Sequence, residues 1–152
     1  MARKAAYCWV AMLAAGVLAA GGPPAAGHEL TFKHLKIMHP YTIEPVERLP
    51  RQVVVYMEIG NSTAAANRLI GVESRHATSA ALVTQSSDGV TPLPVAAIEL
   101  PANARTTLGP KSAYVLLRDL TETIEGYQYF PLTLVFEKAG KVEVEVYVED
   151  RD

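Results

Sequence analysis

Imidazole and thioether groups crowd into one stretch, GHELTFKHLKIMHP at residues 27–40, which holds His28, His34, Met38 and His39. The fourth histidine, His76, stands in ESRHATS. Imidazole nitrogen suits divalent copper, and thioether sulfur suits the cuprous ion. Strand geometry opposes one site built from His34, Met38 and His39 alone. Residues Leu35 to His39 alternate apolar and polar, each advancing ~3.3 Å with successive side chains on opposite faces. His34 and Met38 would then lie ~13 Å apart, and His39 would point the other way. Both read as the polar side of a half-exposed strand.

His28 offers different chemistry. If the chain is cleaved after Gly27, the free α-amine and ring nitrogen of His28 chelate one Cu(II) together. His39 or His76 would complete a T-shaped nitrogen set. His28, His39 and His76 are therefore the candidate metal ligands. The premise is a leader: Arg3 and Lys4 precede an uncharged Ala/Leu/Val run from Ala5 to Ala20, and small residues close it at Ala25-Ala26-Gly27. This pattern describes a secretory signal peptide over residues 1–27. Cleavage after Gly21, behind Ala19-Ala20, is the competing site, and an uncleaved anchor is the alternative reading of a run this short for a bilayer.

The only cysteine, Cys8, lies inside the apolar run, so the segment His28 to Asp152 is expected to carry no disulfide. Export without disulfides points to a bacterial periplasm, with no stable membrane span after cleavage. Losing Arg3 and Lys4 takes the formal charge from −2 to −4 (−2 less two positive charges). No basic patch remains, which argues against nucleic acid as a partner. Enzyme chemistry finds little support. No serine stands in a nucleophile elbow, no glycine loop suits a phosphate, and Glu143 and Glu145 fall on the outward face of a hairpin. A non-enzymatic protein is expected.

The elements that must position these groups are short strands. Val53 to Ile59 ends at Gly60-Asn61-Ser62; Arg68 to Val72, Ala80 to Thr84 and Tyr114 to Leu117 are further apolar runs; Ser86-Ser87-Asp88-Gly89 is a turn cluster. At the C-terminus, Leu132, Leu134 and Phe136 alternate with polar neighbours, and Val142, Val144, Val146 and Val148 do the same beyond Lys138-Ala139-Gly140-Lys141. That predicts a β-hairpin with one buried face. The whole segment 28–152 reads as one all-β domain, a two-sheet Greek-key sandwich of the immunoglobulin-like or cupredoxin-like kind.

Four stretches, taken in order, resemble a known family: HELTFKHLKIMHP, VVYMEIGNSTAAANRLIGVES, LPVAAIELPANARTTLGP and PLTLVFEKAGKVEVEVYV. They are similar to the periplasmic copper chaperones of the PCu(A)C type, and the resemblance covers nearly all of residues 28–149. It implies a cupredoxin-like fold, copper binding or delivery, a copper-donating or copper-accepting periplasmic partner, and a role in cytochrome oxidase copper-site assembly. The family holds Cu(I) with a His after an apolar strand, a Met about ten residues later and a His-x-Met about twenty further on. Here Leu93 falls near the first Met position and Tyr114-Val115-Leu116 occupies the His-x-Met, with no histidine between Ala77 and Asp152. Leu93, Tyr114 and Leu116 are thus replaced ligand positions, and the primary site is expected to be degenerate. Leucine keeps roughly the bulk of methionine, and Tyr114 keeps an aromatic body. The rival from another class is a metal-free periplasmic protein-binding module that retains the fold.

Overall fold

Period-two alternation becomes strand wherever a branched or aromatic face can be buried. The structure is a computed structural model that describes residues 29–45, 51–124 and 128–151. Those residues form eleven strands and no helix: β1 Glu29–Phe32, β2 Leu35–Ile43, β3 Gln52–Asn61, β4 Asn67–Glu73, β5 Ala77–Gln85, β6 Pro92–Val95, β7 Ile98–Leu100, β8 Ala104–Leu108, β9 Ala113–Leu120, β10 Tyr129–Phe136 and β11 Gly140–Glu149. The all-β reading holds. Signal residues 1–27 and His28 lie outside the described residues.

Hydrogen bonds join the strands in the order β6-β5-β9-β8-β3-β2-β11-β10-β4-β7, with β1 on β2 and β9 also on β3. The sheet is mixed, because β11 pairs β2 and β8 pairs β9 in parallel. No break in hydrogen bonding divides this path into two sheets. Instead the sheet folds around a single core to which Ile37, Val55, Leu69, Leu82, Leu100, Leu108, Val115, Leu132 and Val146 all contribute from different strands. Long-range pairing of this kind lets a chain without disulfides bury enough apolar surface to be stable.

The C-terminal hairpin follows the predicted alternation, with a shorter link. Phe136 pairs with Gly140, so three residues, Glu137 to Ala139, close the turn and Gly140 stands at φ 88°. Lys141, expected in the link, already belongs to β11 because the left-handed glycine lets the chain reverse one residue sooner. Val144 is 3% exposed and faces the core, whereas Glu145 is exposed on the outer side. Val144→Ala is expected to cost about 1–3 kcal/mol through lost burial and an unfilled cavity. Glu145→Ala should cost less than about 0.5 kcal/mol. Urea melts of the two variants check the register, since a one-residue slip would reverse their order.

The N-terminal region departs from the expected single strand. Phe32 pairs with Leu35, so Lys33 and His34 form a two-residue hairpin turn, with Lys33 at φ 55°. His34 is therefore a turn residue and does not share a strand face with Met38. Nor does β2 stop at Pro40. It runs on to Ile43 through a bulge between Met38 and Tyr41, where His39 takes φ 49°. A bulge tolerates proline because the ladder is already interrupted there. The inserted residue has a second consequence. Ile37 points into the core opposite Ile59, and an unbroken strand would send Tyr41 inward too. The bulge turns Tyr41 outward, opposite Tyr56.

Two buried asparagines tie loops to strand ends. Asn61, 3% exposed, donates from Nδ2 to the carbonyls of Ala65, Leu100 and Pro101 at 2.9, 3.1 and 3.2 Å, and its Oδ1 accepts from the Thr63 amide and hydroxyl. Asn67 Oδ1 accepts from the amides of Arg68 and Lys138, which joins β4 to the C-terminal hairpin turn. These contacts satisfy backbone groups that strand ladders leave unpaired.

Candidate functional site

Side chains on β3, β5 and β9 that face away from the main core form a second, smaller apolar cluster. Val83, Tyr114 and Leu116 are its buried members, at 0%, 7% and 5% exposure, and Val54, Tyr56 and Ala81 pack against them. Alternation explains the split: Val115 and Leu117 point into the main core, so Tyr114 and Leu116 must point outward. Directly paired residues share a face, which places Val83 beside Tyr114 and Ala81 beside Leu116. Tyr114 and Leu116 thus lie on one face, two residues apart.

Leu93 does not join them. It pairs with Thr84, one residue out of phase with Val83, and therefore lies on the opposite face of the β5–β6 ribbon, 45% exposed. The β6 residue facing Tyr114 across Val83 is Pro94, since Val83 pairs with both. Val83 and Pro94 also meet the family spacing of about ten residues, with Tyr114 about twenty further on. The outward set on this face is accordingly Val83, Pro94, Tyr114 and Leu116. None of these side chains presents imidazole or thioether, so the set does not fit Cu(I).

The histidines have other partners. His39 lies at the β2 bulge, its Nε2 2.9 Å from Glu149 Oε1 and its ring stacked on Tyr41 at 4.7 Å. His76 precedes β5 in a loop and is buried: its ring meets Phe130 edge-on at 5.9 Å and its Nδ1 lies 2.6 Å from Glu122 Oε1. His76 also pins the loop through its carbonyl, which accepts from the Thr121 amide at 3.0 Å. His34 Nε2 is 3.3 Å from Asn67 Nδ2. His28, the residue on which a Cu(II) chelate depends, lies outside the described residues. Among the described residues no group of three or more His, Cys, Asp or Glu side chains is placed to hold a metal ion.

One feature of the outer face is invisible to motif reading. Tyr129, Tyr147, Tyr41 and Tyr56 occupy successive rungs across β10, β11, β2 and β3, and Tyr56 meets Tyr114 on β9. Burial raises the Tyr56 hydroxyl above the ordinary tyrosine value, and the neighbouring Tyr41 and Tyr114 push it further the same way. The available signal was tyrosine at outward positions such as Tyr56 and Tyr147; Tyr41 faces outward only through the bulge, and the alignment needed the pairing register.

This mixed β-sheet is the fold of PCuAC domains. The family described as "Putative lipoprotein LpqE-like" matches residues 35–148. The copper-bound PCuAC domain from PmoF2 is 32% identical, with a TM-score of 0.71 over 82% of this chain and 99% of that domain. The apo PCuAC domain from PmoF1 is 29% identical, also at a TM-score of 0.71, over 82% of this chain and 100% of that domain. The solution structure of CuI-DR1885 from Deinococcus radiodurans, at 22% identity and a TM-score of 0.57, shares the fold over 82% of this chain and 83% of its own. The chain belongs to the LpqE-like family of PCuAC-type proteins. No curated protein matches it.

Proposed function

We propose that this protein is an exported, non-enzymatic copper-handling protein of the PCuAC type whose family site no longer ligates Cu(I). The observation that carries the reading is the outer face of β5, β6 and β9, where Val83, Tyr114 and Leu116 pack as an apolar cluster with Pro94 exposed at its edge, and none of the four offers imidazole or thioether. Similarity to a domain solved with copper bound supports the copper connection. Copper delivery through contact with a periplasmic copper protein, with cytochrome oxidase copper-site assembly as the process, completes the reading, as does cupredoxin-like Greek-key layering. Any copper held by the chain itself is assigned to Cu(II) at His28, with His39 or His76 as the added nitrogen.

The test equilibrates the segment His28 to Asp152 separately with Cu(I) and Cu(II) against a competing chelator and counts retained metal. Cu(I) should not be retained stoichiometrically. Cu(II) should be, and should be lost when one residue is added ahead of His28, because the α-amine then leaves the chelate. Stoichiometric Cu(I) that survives changes at His28, His39 and His76 would overturn the reading.

A further inference from the structure

Five of the chain's seven tyrosines stand in one row on the outer face, which composition alone does not produce. The register aligns Tyr129 with Tyr147, Tyr147 with Tyr41, and Tyr41 with Tyr56. Ring centroids lie 5.9 Å apart for Tyr129–Tyr147, 5.5 Å for Tyr41–Tyr56 and 6.3 Å for Tyr56–Tyr114. Interplanar angles of 46°, 53° and 76° make the row a series of clefts, not a flat platform. Outward positions of a half-buried sheet are ordinarily polar. Here Tyr129 is 48% exposed, and Ile43, on the same outer face as Tyr41, is 45% exposed. Rows of amphipathic rings on open apolar surface are characteristic of protein-binding faces.

Charge beside the row selects the partner. On β11 the same outer face carries Glu143 and Glu145, both exposed, and the ion pairs among the described residues engage neither. Glu145 Oε2 accepts from the Tyr147 hydroxyl at 3.1 Å. Glu149 closes the β11 series beside His39. Lys141, two residues before Glu143 on the same face, is held by Glu73, and Arg75 lines a hollow with Glu143, so Glu145 is the carboxylate beside the tyrosines. Glu145 therefore faces outward next to the aromatic clefts, an arrangement that complements a cation able to enter a cleft. Guanidinium does so by lying over a tyrosine ring while its edge pairs with a carboxylate.

We propose that the outer face of β10, β11, β2 and β3 docks an extended, arginine-bearing segment of a partner protein, with a guanidinium group held between the tyrosine rings and Glu145. Alternate residues of an extended segment point the same way, which suits a row of clefts repeating from strand to strand. No metal takes part, so this surface stands or fails independently of the copper reading.

The experiment is a metal-free NMR titration of the His28 to Asp152 segment with an octapeptide of alternating arginine and proline, and with its glutamate–proline counterpart. Saturable shifts should appear at Tyr41, Tyr56, Tyr129 and Tyr147 with the arginine peptide alone. Tyr147→Ala and Tyr41→Ala should each weaken binding about tenfold, ~1.4 kcal/mol. Tyr147→Phe should retain it, and Glu145→Gln should weaken it and flatten its salt dependence. The phenylalanine and glutamine variants keep the test decisive if an alanine variant fails to fold. The proposal is overturned by any of four results: no saturable shift at millimolar peptide, equal binding of the glutamate peptide, shifts centred elsewhere, or a row already covered by a second copy in concentration-dependent sedimentation.

Discussion

Asn61→Asp is expected to cost about 3–5 kcal/mol at neutral pH, the penalty of leaving a buried charge unpaired. The native amide nitrogen serves the carbonyls of Ala65, Leu100 and Pro101 at once, at the junction of β3, its following turn and the end of β7. A carboxylate has the same shape but no hydrogen to donate, so three acceptors would face a fourth. Burial and those carbonyls would hold the new carboxyl's folded pKa above its unfolded value. The penalty is then full at neutral pH and shrinks as pH falls through the folded pKa, because the protonated acid recovers one donor. Urea melts at pH 7 and pH 4 check this, and the gap between wild type and variant should narrow in acid. A cost below about 1 kcal/mol at pH 7 would mean that Asn61 does not tie these segments together.

Restoring the ligand set should create a Cu(I) site. The four changes Val83→His, Pro94→Met, Tyr114→His and Leu116→Met place two imidazoles and two thioethers on one face of β5, β6 and β9, where Val83 already pairs with both Pro94 and Tyr114. Soft sulfur with imidazole selects the cuprous ion. Affinity is expected to rise at least about a hundredfold over wild type, ~2.7 kcal/mol. A matched variant carrying Leu93→Met in place of Pro94→Met should gain much less, because Leu93 lies on the other face of the ribbon. Chelator competition under anaerobic conditions measures both. Equal gains from the two variants would sink the face assignment.

Much of the fold was legible because local alternation carries it. The hairpin of β10 and β11 shows its buried set as every second residue from Phe130 to Phe136 and from Val142 to Val148, and period-two patterning survives wherever one face meets the core. The shorter strands β7 and β8 and the β1–β2 turn were not legible as elements. Three to five residues give too few periods, and the Lys33-His34 turn lacks the glycine or asparagine that usually signals one.

For the site, the residue types were enough to show that imidazole and thioether are missing after Ala77. Which of Leu93 and Pro94 faces Tyr114 was decided by cross-strand register, a one-residue matter that no spacing motif fixes. The histidines divide the same way. His76 was a candidate ligand by residue type, and tertiary packing buries it against Phe130 and sets it beside Glu122. His39 was visible as a potential ligand, but only the bulge revealed that it redirects β2 and turns Tyr41 outward. By itself, then, the sequence determined strand content, the faces of the unbroken long strands and the absence of histidine and methionine after Ala77, because these depend on neighbours in the chain. The tertiary structure alone decided the single wrapped sheet, the membership of the outer-face cluster and the tyrosine row. Each depends on pairing between segments as distant as β2 and β11, where the hydrogen-bond register is set by the burial of both strands at once.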